Sequence, residues 1–146
     1  MSIHMIKLVV GIDTLDDFAA WQAHERVNYQ GQQANIVRTR FKPKRAEEIL
    51  KTGGSIYRVI KSRIVCRQEI IGFDTYESDD RGTQCLILTD TDVIQTQSMP
   101  YRPFQGWRYL DPAKAPKDRG LYVIGQAEEE APPPEMENEL REAGLL

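Results

Sequence analysis

The sequence predicts an α+β domain: a small mixed or antiparallel sheet curled into a partly closed β-barrel, with two early helices. Three observations carry that expectation. Five or six β-rich segments follow one another through short connections, which suits a small sheet better than a doubly wound one. Both segments with helical periodicity lie before residue 53. A chain of 146 residues with 40% hydrophobic and 28% charged side chains has the ordinary make-up of one core.

Ile3 to Val10 is apolar on both faces apart from His4 and Lys7, the pattern of a strand inside a sheet, and it ends at Gly11. Asp13 or Thr14 caps a first helix, with Asp16 and Asp17 in its first turn and Leu15, Phe18 and Ala19 on one stripe, running to about Tyr29. From Asn35 to Lys42 the residues alternate. Val37, Thr39 and Phe41 form a core face, and Ile36, Arg38, Arg40 and Lys42 form a basic one. Pro43 is placed to open a second helix that buries Ala46, Ile49 and Leu50 and stops at Thr52-Gly53-Gly54, where the glycines act as a C-cap and turn.

Ser55 to Lys61 and Arg63 to Phe73 are β-rich and separated only by Ser62, consistent with either a hairpin or one kinked strand. Glu77 to Thr83 is a turn. Gln84 to Thr89 is apolar on both faces and belongs at the centre of the sheet. Asp92 to Gln97 is a weaker strand. Prolines 100, 103, 112 and 116 keep the next stretch irregular, and Leu121 to Ile124 adds a late edge strand.

The net charge of −3 conceals a strong segregation. Residues 126 to 146 carry seven glutamates against Arg141, a net −6, in a proline-interrupted stretch read as a mobile acidic tail or a short docked helix beyond a single globular domain at 1–125. Ile36 to Gln68 holds ten basic residues against Glu47 and Glu48, a net +8. Such a concentration attracts anions over about 8 Å at physiological salt, and phosphates are the commonest anions to meet it.

Arg38, Arg40 and Lys42 from one strand face, Arg63 and Arg67 from another, and Lys44 with Arg45 in the first turn of the second helix are therefore candidate anion-binding residues. The two cations at a helix start oppose its dipole, a misfit that a bound phosphate would remove. In Tyr101-Arg-Pro-Phe-Gln-Gly-Trp-Arg-Tyr-Leu110, Phe104 and Trp107 are assigned to the core, leaving Tyr101, Arg102 and Arg108 as groups able to stack bases and hold phosphates.

Signals for catalysis are sparse. His4 and His24 lack metal-ligand spacing, Cys66 and Cys85 form no CxxC pair, and nucleophile-elbow and dinucleotide fingerprints are missing. Neither a metal nor a cofactor is expected. The opening residues lack the pattern of a secretory signal and no apolar run is long enough to span a bilayer, so a cytoplasmic protein without a membrane partner is expected.

The segments Lys42-Pro-Lys-Arg-Ala-Glu-Glu-Ile-Leu50, Gly53-Gly-Ser-Ile-Tyr57, Arg67-Gln68 and Phe104-Gln-Gly-Trp-Arg-Tyr-Leu110 together resemble a family of small uncharacterised bacterial proteins, classed as a domain of unknown function, over about residues 3 to 112. More remotely, the order of strand, Lys-Pro helix, glycine turn and paired strands is similar to PUA-like barrels, including the ASCH branch. That resemblance implies a PUA-like barrel and binding of RNA or modified nucleotides. The ASCH pattern of Glu-x-Arg after the glycine turn is replaced here by Ser55-Ile-Tyr-Arg58, so neither its ligand chemistry nor any hydrolase activity carries over. RNA or a nucleotide-type anion bound without catalysis is the leading expectation. A hydrolase-like enzyme acting on an anionic or nucleotide substrate in the cleft, and a protein-interaction adaptor using the tail, are the alternatives. The oligomeric state is left open.

Overall fold

The structure is a computed structural model that describes residues 2–124. The chain runs β1 (His4–Leu8), α1 (Leu15–His24), β2 (Val27–Tyr29), β3 (Gln32–Thr39), α2 (Ala46–Lys51), β4 (Ser55–Ile60), β5 (Arg63–Ser78), β6 (Gly82–Thr89), β7 (Ile94–Pro100), β8 (Trp107–Leu110), a 3-10 turn at Pro112–Lys114 and β9 (Asp118–Leu121). The expected α+β class with two early helices is present, on a mixed nine-stranded sheet ordered β2-β3-β6-β5-β4-β1-β8. β7 pairs with β5, and β9 with β7. Only β1 with β4 is parallel, in the register Met5 to Ile56 through Leu8 to Val59.

β5 joins the two halves of the sheet. Its first part, Arg63 to Glu69, pairs with β4, and its second part, from Ile70 to Ser78, pairs with β6, with a register shift between Ile70 and Gly72. Gly72 sits at that bend with the Tyr29 ring packed where a Cβ would stand. The absence of a side chain is what lets β2 fold over the strand. Bending brings the ends of the sheet towards each other, so that Met5 of β1 and Val37 of β3 share one core with Ile49, Ile56, Ile70, Cys85 and Ile87. No ladder joins β1 to β3, and the sheet does not close.

A second core lies under α1, where Phe18 packs with Val9, Ile60, Cys66, Val93 and Tyr122. The third, on the opposite face, joins Ile6, Tyr57, Val59, Ile64 and Leu110 and is covered by Met99, Tyr101 and Phe104. β4 is buried along its whole length because both of its faces are covered. The proline-interrupted segment after residue 100 acts as that cover.

Several boundaries differ from expectation, each for a local reason. α1 stops at His24, not Tyr29, because Val27–Tyr29 pairs with β3 around a turn at Gln30 (φ +50°) and Gly31 (φ +85°). α2 starts at Ala46, with Pro43 outside the helix accepting the Ala46 amide through its carbonyl. Lys61 and Ser62 (φ +52° and +64°) make the two-residue left-handed turn of a hairpin, which resolves the alternative left open between β4 and β5. β3 ends at Thr39, leaving Phe41 68% exposed and off the core face. The weak strand falls at Ile94–Pro100 and the late edge strand at Asp118–Leu121, while Trp107–Leu110 is a strand where irregular chain was expected. The tail from 126 lies outside the described residues.

Gly53 and Gly54 terminate α2 as expected. Gly53 takes φ +71°, and the Gly54 amide donates to the Ile49 carbonyl at 2.8 Å. A Cβ at Gly53 meets open space, whereas one at Gly54 would overlap the Ile3 carbonyl oxygen. Gly54→Ala is therefore expected to destabilise by about 3 kcal/mol, the upper range for overpacking against backbone. Gly53→Ala, which only forces a left-handed alanine, should cost about 1 kcal/mol. Urea denaturation of the two variants checks the order.

Candidate anion-binding cleft

A cleft of about 980 Å³ occupies the unclosed seam and is walled by β1, the end of β3, the β5–β6 turn and the loop leading into β8. Lys7 comes from β1, Arg38 from the outward alternation of β3, and Arg40 and Phe41 from the chain just beyond it. Tyr76 comes from β5, Asp80 and Arg81 from the turn, Gln84 from β6, and Gln105, Gly106 and Trp107 from the far side. The Trp107 indole N–H donates to the Phe41 carbonyl at 2.9 Å, tying the β8 side of the seam to the β3 side. The Arg40 guanidinium lies 5.5 Å from the centroid of the Phe41 ring.

Four cations (Lys7, Arg38, Arg40 and Arg81) thus face one carboxylate, Asp80, and none of the four forms an ion pair among the described residues. Lys7 is half-buried, and its amine is held below the usual lysine range first by that burial and then by the neighbouring charge of Arg58. Lys42 joins from an adjoining depression that shares Arg40, Phe41, Arg81 and Gln84 with the cleft.

The remaining candidates lie elsewhere. Arg45 is not an unmet cation at a helix start, because its guanidinium donates to Glu48 at 2.7 Å and lies 5.9 Å from the Tyr109 ring centroid. With Glu47 and Glu48 in the first turn, the expected electrostatic misfit at α2 is absent. Lys44 is exposed and stands outside both depressions. Arg67 is paired with Asp118 at 2.7 Å and Arg63 donates to the Ser98 hydroxyl, both away from the cleft. Tyr101 packs against Phe104 in the third core, Arg108 stacks 4.5 Å from the Phe104 centroid, and Arg102 is exposed on the same side.

Sequence reasoning therefore found Arg38, Arg40 and Lys42 and missed Lys7, Tyr76, Arg81, Gln84 and Gln105. Tyr76, Arg81 and Gln84 share the β5–β6 hairpin, Lys7 and Gln105 meet where β1 pairs with β8, and the bent sheet brings the two groups to one cleft. Trp107, expected in the core, is half-buried: it packs against the first core and also lines the cleft.

A family model covers residues 5–146. The chain belongs to the DUF1489 family, described as proteins of unknown function. No curated protein and no solved structure matches it. Among the described residues of this family member, no helix is long and apolar enough to cross a membrane, and no group of His, Cys, Asp or Glu is arranged to hold a metal ion.

On the face opposite the first core, His4, Ser55, Tyr57, Arg67 and Asp118 form a connected group. The Ser55 amide donates to His4 Nδ1 at 3.0 Å, Arg67 donates to the Ser55 hydroxyl at 2.8 Å, and Tyr57 meets the His4 ring edge-on at 5.1 Å between centroids. An Nδ1 that accepts a hydrogen bond must be unprotonated. Burial first, and the Arg67 charge second, lower the His4 pKa from 6.5. The neutral ring thus contributes stability that is present above the unfolded value of 6.5 and is lost as pH falls through the lower folded value. Asp118, held below 3.8 chiefly by its hydrogen bond from Arg67, loses its contribution only at more acid pH. Unfolding free energy is expected to fall from pH 7.5 to pH 5, and His4→Asn, which keeps an acceptor but does not titrate, should flatten that slope in urea denaturation at both pH values.

Proposed function

We propose that the protein binds single-stranded RNA or a nucleotide-type anionic ligand in the seam between β1 and β3, without catalysis. One observation carries the proposal: four cations without ion-pair partners among the described residues and three aromatic side chains, Phe41, Tyr76 and Trp107, line one cleft of about 980 Å³. Guanidinium and ammonium groups supply phosphate affinity that is indifferent to sequence, and exposed rings supply stacking surfaces that accept any base. Phe41 is suited to this because it is 68% exposed. Gln105 adds an amide donor and acceptor of the kind that read base edges, while Gln84 is buried and donates to the Arg81 carbonyl at 3.1 Å. A cytoplasmic setting accords with this ligand class.

The cleft favours binding over reaction. Among the described residues that line it there is one carboxylate, Asp80, and no histidine, cysteine or serine, and no hydrogen bond pairs Asp80 with Lys7, Thr39 or Tyr76 as base with nucleophile.

Binding of a fluorescent single-stranded RNA, followed by anisotropy, should weaken steeply with salt, as counterion release requires. Arg40→Glu with Arg81→Glu should abolish it at physiological salt. Where residual binding is measurable at low salt, its salt slope should be smaller by about 1.4, roughly 0.7 for each single-strand phosphate that is no longer neutralised. Phe41→Ala should cost about 1–3 kcal/mol of affinity while leaving the fold intact. Arg63→Glu, on the far side, should bind as the native chain does. Salt-insensitive binding, or an Arg40/Arg81 double variant that retains affinity, would overturn the proposal.

A further inference from the structure

Beside the cleft, a second cavity of about 320 Å³, open at a rim that includes Val10 and Trp21, lies between the end of β1 and β3 and shares Lys7 and Arg38 with it. That volume is at the lower end of small-molecule sites, roughly 300–1,000 Å³. Its inner wall carries Arg58 of β4, which is 4% exposed. The guanidinium donates from Nε to the Lys7 carbonyl at 3.2 Å and from one terminal nitrogen to the Leu8 carbonyl at 3.4 Å, and it lies 5.4 Å from the Phe18 ring centroid. Those two bonds use two of its five N–H donors.

No carboxylate is paired with Arg58 among the described residues. Its strand neighbour Cys66 supplies no counter-charge, because burial pushes that thiol up to about 12 and keeps it protonated at neutral pH. Glu25 lines the same cavity but is exposed and forms no ion pair. Lys7 adds a second cation, close enough for Arg58 to disfavour its charge. Two like charges, one fully buried and one half-buried, therefore face a cavity whose one carboxylate among the described lining residues, Glu25, is exposed and pairs with neither. Such an arrangement is costly unless a ligand completes it.

We infer that this inner cavity receives a terminal phosphate monoester, held by Arg58 and Lys7, while the attached nucleoside or oligonucleotide lies in the outer cleft. A phosphomonoester carries about −1.5 to −2 charges at pH 7, which matches two uncompensated cations, and its three free oxygens suit the forked guanidinium. A chain phosphodiester carries one charge and is substituted on two sides. The inference rests on the proposed function for the nucleoside part of the ligand, though not for the phosphate.

Calorimetry on the full chain tests it with inorganic phosphate, with a nucleoside 5′-monophosphate against its nucleoside, and with one RNA oligonucleotide carrying a 5′-phosphate against a 5′-hydroxyl. The phosphorylated member of each pair should bind about ten-fold or more tightly, and Arg58→Gln should erase the difference. The mononucleotide and oligonucleotide pairs separate a free nucleotide from a strand end as the source of the phosphate. Should Arg58→Gln fail to fold, the Lys7 amine, followed by NMR in the native chain, gives a second readout: its titration should move upward when inorganic phosphate binds.

RNA that binds through Arg40 and Arg81 equally well with and without its terminal phosphate would sink the inner site and leave the proposed function standing. Phosphate that binds through Arg58, with neither nucleotide nor RNA bound, would do the reverse. A Lys7 titration unmoved by saturating phosphate also overturns the inference.

Discussion

The absent ladder between β1 and β3 is the constraint from which the rest of this architecture follows. A sheet that bends far enough to put Met5 and Val37 in one core has brought its flanks almost together, and hydrogen bonding between them would make a closed barrel. Instead, the backbone of β1 beyond Lys7 and the outer side of β3 remain apart, and the gap is filled by long cationic side chains. The Trp107 indole on the Phe41 carbonyl spans it at the end where Arg40 and Phe41 emerge. The seam is thus both the place where sheet hydrogen bonding stops and the place where cations gather.

How the positive charge is distributed separates surface from site. Arg45 and Arg67 each have a carboxylate at 2.7 Å, and both pairs are partly exposed, so each contributes little to stability and leaves little field for a ligand. The cations of the seam have no such partners among the described residues. A simple count of basic residues along Ile36 to Gln68 cannot make this distinction, because the compensating Asp118 lies 51 residues from Arg67.

What could be read from the sequence was local. The alternation of β3 identified Arg38 and Arg40 as an outward basic pair, and the two glycines after α2 were recognisable as its stop. The pair Arg45 and Glu48, three residues apart, was also visible in the spacing and answers the apparent misfit at the start of α2. Arg81 and Lys7 carried no such sign, since one sits in a turn rich in charges and the other is a single lysine in an apolar strand. β8 was hidden because its glycine and neighbouring prolines resemble loop chemistry, while its pairing with β1 is long-range. Arg58 was hidden for a different reason. In a strand buried on both faces there is no polar side to mark, so a charge within it looks like any other member of a basic run.

The identity of that buried cation has a consequence. A lysine in the same place could shed its proton and relieve the penalty of burial, as the half-buried Lys7 is already inclined to do. Arg58 is lowered by burial only to about 10, so at neutral pH it stays charged, held by two carbonyls and the face of Phe18. Its charge must therefore be met by something other than deprotonation. Dipoles and a ring face meet part of the need, and any anion bound only by the folded chain meets more of it, stabilising the fold by an amount set by its concentration relative to its dissociation constant. Under this linkage, a residue that weakens the unliganded protein makes occupancy of the seam and integrity of the sheet the same equilibrium.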